Sequence, residues 1–217
     1  MKRFYSFCAA TLAFCGFGVA CASAQVLFSY EPGEPGLPYA GNPALYVTTL
    51  STTTGVTHGA TALQTSVDVP TFGGPGSSAF TDAGRANAIN GAPALLIDMT
   101  VPNKVFGFGN IDMTFFQTGI RPGGDADETA FSSTFATSPG QTITLTIPLT
   151  NTQFGTPHIN INPALPWSYQ IDLSFNSAAG GPYVFQFDNI RVVPEPVSLS
   201  AVGTASGLML MRRRRRA

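Results

Sequence analysis

The sequence predicts an all-β protein, a β-sandwich of jelly-roll type, and three observations carry that expectation. Several segments in the middle of the chain alternate apolar and polar residues with a period of two. Clusters of Gly, Pro, Asn and Asp separate these segments, as at 31–38, 73–76 and 121–127. No window there sustains a helical period between recognisable caps.

Taken in chain order, residues 26–31 and 44–50 are the first two candidate strands. In 93–101, Leu95, Ile97, Met99 and Val101 share one face, while Leu96, Asp98 and Thr100 share the other. Residues 106–116 and 129–137 follow. In 141–149, Ile143, Leu145 and Ile147 alternate with Thr142, Thr144 and Thr146. In 168–175, Tyr169, Ile171, Leu173 and Phe175 alternate with Ser168, Gln170, Asp172 and Ser174. Such alternation marks strands buried on one side. The last strand changes phase: Tyr183, Phe185 and Phe187 are odd, Ile190 and Val192 even. A regular strand cannot move its apolar set between faces, so a bulge is expected near Asp188 and Asn189. The two ends of the domain are expected to lie together.

Charge is distributed unevenly over the 217 residues. The formal net charge is -1, but Lys2 and Arg3 open the chain and five arginines nearly close it. Residues 25–193 keep four basic side chains (Arg85, Lys104, Arg121, Arg191) against eleven acidic ones. A domain so negative repels phosphate backbones, which disfavours nucleic acid as a partner. Cys8, Cys15 and Cys21 all precede Gln25, so a chain cut there would fold without disulfides.

Both termini read as addresses. Residues 1–24 have a positive start, an apolar run and small residues at Ala22-Ser23-Ala24. This is the pattern of a signal helix removed by signal peptidase, with cleavage expected between Ala24 and Gln25. A retained anchor or a lipoprotein start at Cys21 are the alternatives, and the cysteine lacks a Leu three residues before it. At the other end, 194–217 begins with Pro194, Glu195 and Pro196, continues in a short hydrophobic helix over 197–211, and finishes with Arg212, Arg213, Arg214, Arg215 and Arg216. Positive charge beside an apolar segment stays cytoplasmic, which leaves the body of the chain outside. The apolar run has 15 residues, whereas a full span needs about 20, so it suits transient anchoring at the inner membrane.

This three-part tail resembles the PEP-CTERM sorting signal of bacterial exopolysaccharide-associated proteins. The resemblance implies recognition by an exosortase, cleavage near the Pro-Glu-Pro element, and release or transfer to the cell surface or extracellular matrix. It fixes an address and leaves the activity of 25–193 open.

The ends of that middle domain resemble those of galactose-binding-like jelly rolls among carbohydrate-binding modules. The matching residues are Val26-Leu27-Phe28-Ser29-Tyr30-Glu31 and Phe187-Asp188-Asn189-Ile190-Arg191-Val192. The resemblance implies a structural calcium ion joining Glu31 to Asp188. The bland alternative is a turn-flanking Glu and a bulge-capping Asp. A second acidic group, Asp125, Asp127 and Glu128, lacks the ligand spacing of an EF-hand and reads as a solvated loop.

Sugar sites combine aromatic faces with a few polar groups that fix orientation. Trp167, the only Trp, is the first candidate, unless it closes the end of the core; Tyr39, Tyr46 and Phe116 are weaker ones. Catalytic patterns are sparse. His58 and His158 stand alone, no Gly-x-Ser-x-Gly elbow occurs, and no catalytic residue is assigned. Asp98, Asp112 and Asp172 would be the carboxylates of a glycan-processing enzyme, but their positions read more simply as solvated strand faces. The expected function is therefore a non-catalytic surface or matrix protein associated with exopolysaccharide, with an enzyme or a protein-binding module as alternatives.

Overall fold

The computed structural model describes residues 24–36, 38–39, 46–67, 74–104, 108–117, 127–136, 139–149, 159–176 and 181–193. Eleven strands and one helix follow in chain order. They are β1 (Gln25–Phe28), β2 (Pro38–Tyr39), β3 (Tyr46–Ser51), β4 (Ala62–Val67), β5 (Gly76–Ser77), α1 (Ala83–Asn90), β6 (Ala94–Thr100), β7 (Phe108–Phe116), β8 (Asp127–Ala136), β9 (Thr142–Pro148), β10 (Ser168–Phe175) and β11 (Tyr183–Val192). The first sheet has the order β3-β4-β11-β6-β9, and the second β2-β5-β10-β7-β8. All described pairs are antiparallel.

The expected β-sandwich is what forms, because each alternating segment buries its apolar half against the facing sheet. From the first sheet come Leu95, Ile97 and Met99 of β6, Leu145 and Ile147 of β9, and Tyr183, Phe185 and Phe187 of β11. From the second come Ile111, Met113 and Phe115 of β7, and Tyr169, Ile171, Leu173 and Phe175 of β10. The sheets meet ring to ring: Phe175 lies 5.0 Å from Tyr183 and 5.4 Å from Phe185 between centroids. A second aromatic group closes the other end, with Phe28 4.4 Å from Tyr169 and Phe80 4.5 Å from Trp167.

The first and last strands are neighbours, as expected. On one side β11 pairs with β6; on the other it is shared by β4, over Tyr183 to Phe187, and β1, over Ile190 to Val192. The phase change is a bulge: register with β6 shifts between Asp188 and Arg191, and Asn189 takes φ 49°. Asn tolerates the left-handed region better than other non-glycine residues, which is why it serves here.

Some expectations need correction. The middle is not free of helix: α1 is capped by Asp82, whose Oδ1 accepts the Arg85 amide at 2.9 Å. Only Ala86 and Ile89 are buried on it, so it has too little amphipathic pattern to be seen in sequence. Strand β4 and the two-residue strands β2 and β5 were not anticipated either. Asp127 and Glu128 start β8 instead of lying in a solvated loop, while Asp125 is outside the described residues. Asp98, Asp112 and Asp172 occupy outer-face positions, but all three are buried.

Residues 1–23 and 194–217, which hold most of the signal segment and the whole sorting tail, lie outside the described residues. Among the described residues no helix is long and apolar enough to cross a membrane.

Candidate functional site

Two groups of side chains stand out, one on the outer face of each sheet. On the first sheet, the loop 52–61 between β3 and β4 is drawn down by two carboxylates from distant points of the chain. Glu31, just after β1, accepts the amides of Ala60 at 2.6 Å and Thr61 at 3.1 Å through Oε1. Asp188, fully buried at the β11 bulge, accepts the amides of Thr57 at 2.5 Å and His58 at 2.7 Å through Oδ2. Gly55 and Gly59 both have φ +75°, and a Cβ on them would strike Gln186 and Glu31 respectively. Loop and sheet are thus in backbone-to-side-chain contact, and the loop roofs this part of the face.

Around the bulge the Asp-Asn-Ile-Arg segment works as one clasp. Asp98 Oδ2 accepts Asn189 Nδ2 at 2.8 Å, Arg191 Nη1 at 2.9 Å and the Thr57 hydroxyl at 3.0 Å; its Oδ1 accepts the Thr144 hydroxyl at 2.7 Å. Burial pushes the Asp98 carboxyl up, but the hydrogen bonds from Arg191, Thr144 and Asn189 and the Arg191 charge outweigh it and hold the group below its ordinary value. A carboxyl depressed in the folded state adds stability above its unfolded pKa of about 3.9 and loses it as pH falls through the lower folded value. Unfolding free energy measured by urea titration is therefore expected to fall below about pH 4. Asp98→Asn should flatten that fall; an identical acid slope in the variant would reject the assignment.

Glu31 and Asp188, the residues expected to hold calcium, are brought to one loop. Calcium takes hard oxygen ligands, with backbone carbonyls completing the set. Of the two carboxylates Glu31 keeps an oxygen for such a role, since no described hydrogen bond falls on its Oε2. Amides take up much of the capacity of Asp188, whose Oδ1 also accepts the Asn189 amide at 2.6 Å. Among the described residues no group of three or more His, Cys, Asp or Glu gathers in a metal-binding arrangement. His58 is exposed and contributes its backbone amide; His158 lies outside the described residues.

The second sheet has a different outer face. Here β7 and β10 set Phe116 opposite Ser168, Thr114 opposite Gln170, Asp112 opposite Asp172, and Asn110 opposite Ser174. Gly76 of β5 is the next partner of Gln170, and Tyr39 of β2 the next partner of Gly76. Without a side chain at Gly76, a cleft of about 270 Å³ remains, lined by Gly76, Ser77, Phe116, Ser168, Tyr169 and Gln170. One aromatic ring, the Ser168 hydroxyl and a side-chain amide are therefore brought together there, while the buried Ser77 hydroxyl accepts the Tyr169 amide at 3.0 Å. Deeper on the same face, Asp172 accepts the Thr114 hydroxyl at 2.8 Å and Gln170 Nε2 at 2.6 Å. Burial raises its pKa, and these two hydrogen bonds offset the rise only in part.

No family model and no curated protein matches the chain. Solved structures do. One from a study of the promiscuous specificity of carbohydrate-binding modules of the β-sandwich superfamily aligns with TM-score 0.51 and 13% identity, over 78% of this chain and 62% of its own. The family 11 carbohydrate-binding module of the cellulosomal cellulase Lic26A-Cel5E of Clostridium thermocellum gives 0.49 and 14%, over 79% and 95%. A xylan-binding domain of family 22 gives 0.47 and 17%, over 81% and 98%. The chain has the β-sandwich fold of carbohydrate-binding modules.

Trp167 is not an exposed sugar platform. It is 1% exposed and packs among Phe28, Phe80 and Phe115, so its ring belongs to the core. Phe116, read as a weaker candidate, lines the cleft. Tyr39 falls on the same row by backbone register, and Tyr46 sits on β3 of the other sheet. Asp98 cannot act with Asp112 and Asp172, because the apolar core separates the two outer faces. Sequence reasoning missed Gln170 and Ser168 as site residues. Their signal was present as the polar half of the β10 alternation, but nothing local says which outer face stays open.

Proposed function

We propose that this chain is an exported, non-catalytic module that binds polysaccharide across the outer face of the second sheet. The observation that carries the reading is the cleft beside β10, where Phe116 stands next to Ser168 and Gln170 in a carbohydrate-binding-module fold. An aromatic ring with a few fixed polar groups matches a sugar ring, which is apolar on its faces and hydroxylated at its rim. The tail supports the rest: Pro194-Glu195-Pro196, the apolar run and Arg212 to Arg216 make the chain a substrate for an exosortase after signal peptidase has cut before Gln25. Transient anchoring would then end at the cell surface, with exopolysaccharide as the partner at hand. A calcium ion held by Glu31 and Asp188 would tie the loop 52–61 to the two terminal strands. Its role there would be structural, on the face opposite the cleft.

The test is retention on an array of bacterial and plant glycans. The parent is expected to bind at least one neutral polysaccharide, and Phe116→Ala to weaken that binding about tenfold, the loss of one stacking contact. No retention on any glycan would reject the reading. A second reading, a glycan-processing enzyme, is favoured by one observation: Asp112 and Asp172 stand directly opposite each other on this face. It requires release of reducing sugar that Asp172→Asn abolishes.

A further inference from the structure

The strongest feature beyond the cleft's outline is the contact between Gln170 and Asp172, two residues apart on the same face of β10. We propose that Asp172 is a positioning residue that fixes the Gln170 amide, so that the cleft offers an acceptor and selects free sugar hydroxyls over O-acylated ones. This rests on the polysaccharide-binding reading and names the chemistry its floor prefers.

The argument begins with donor and acceptor capacity. An ionised carboxylate can only accept, so the Gln170 group 2.6 Å from Asp172 Oδ1 has to be the amide NH2. Gln170 lines the cleft, and with one N–H held by Asp172 the amide is fixed in one orientation, in which Oε1 is its acceptor and the second N–H a further donor. Thr114 donates its hydroxyl to Asp172 Oδ2 from the neighbouring strand, so the carboxylate is held at both oxygens. A sugar hydroxyl can donate to Gln170 Oε1. An O-acetyl group cannot, because it has lost its hydrogen, and it would leave that oxygen unpaired on binding.

Protonation should reverse the preference. Asp172 is buried, which favours its neutral form. Once protonated, it can donate an O–H to Gln170 Oε1. The amide would then turn its NH2 to the cleft and donate to either kind of sugar group, whose hydroxyl or ester oxygen accepts. Asp112, the register partner on β7, is the titratable group facing Asp172 from that side, where Thr114 also packs. On the β5 side the described neighbours, Gly74, Pro75 and Gly76, carry none.

The experiment uses the full chain and a soluble neutral β-glucan, compared with the same polymer after partial chemical O-acetylation, in affinity electrophoresis across pH. The parent is expected to prefer the unmodified polymer about tenfold at neutral pH and to lose the preference on acidification. Asp172→Asn and Gln170→Met should show little preference at any pH. In parallel, the Gln170 side-chain amide resonances are followed by NMR. They should shift with the Asp172 carboxyl in the parent and stay fixed in Asp172→Asn. A preference that is independent of pH and survives in both variants would overturn the proposal. So would Gln170 resonances that ignore the Asp172 titration, even where neither polymer binds. Absence of binding with the amide titrating as described would count against the polysaccharide reading alone.

Discussion

Asp188→Ala is expected to lower the unfolding free energy by about 3 kcal/mol and the melting temperature by roughly 6–12 °C. The carboxylate is fully buried and accepts from the amides of Thr57, His58 and Asn189, and it shares the Thr57 hydroxyl with Asp98. Removing it strands several donors beneath the loop 52–61, and each donor left without water costs about 1–3 kcal/mol unless the loop lifts to rehydrate it. The loss should be smaller than the sum of these donors, because lifting the loop relieves them together. Asp188→Asn keeps one acceptor oxygen and should fall between the parent and the alanine variant. The same measurement separates the two roles assigned to this residue. If calcium is bound, a chelator should lower the parent's melting temperature and leave Asp188→Ala unmoved, since only a folded-state ligand is linked to stability. If the amides alone hold the loop, the chelator does nothing and the alanine variant still loses its 3 kcal/mol. A variant as stable as the parent would show that the clasp contributes nothing.

How far the sequence could be read follows from which interactions are local. Strand β10 is predicted to the residue, because Tyr169, Ile171, Leu173 and Phe175 all point one way and the pattern needs no outside information. The bulge at Asp188 is legible for the same reason: it is a change of phase within one strand. Helix α1 is hidden because its buried side is only Ala86 and Ile89, held in place by the Asp82 cap and by Arg85 reaching Glu34. The aspartates mark the limit more sharply. Alternation places Asp98, Asp112 and Asp172 on outer faces, and that is where they are, yet an outer face is open only if nothing covers it. Thr57, from a loop some forty residues earlier in the chain, reaches Asp98, and no period in β6 announces that. The cleft is non-local in the same sense: it exists because Gly76 of β5 lies beside Gln170 of β10.

Trp167 carries the second large effect. Trp167→Ala is expected to cost about 3–5 kcal/mol, because it empties the end of the core where Phe28, Phe80 and Phe115 converge. Those neighbours cannot collapse freely. Phe80 and Trp167 exchange two backbone hydrogen bonds of 2.9 Å, and Phe28 is fixed by the strand that pairs with β11. Part of the cost is offset by an existing one: the buried indole Nε1 has no hydrogen-bond partner among the described residues. Burying an N–H unpaired costs about 1–3 kcal/mol, so Trp167→Phe should cost much less than its lost volume suggests. Both variants shed the same unpaired N–H and differ in the volume they empty, so urea unfolding can tell them apart. As the only Trp, the residue also reports on the parent: its emission should be that of a buried indole and should shift to the red when the sandwich opens. A stability loss below about 1 kcal/mol in Trp167→Ala, typical of an exposed site, would return this ring to the surface and reopen its place in sugar binding.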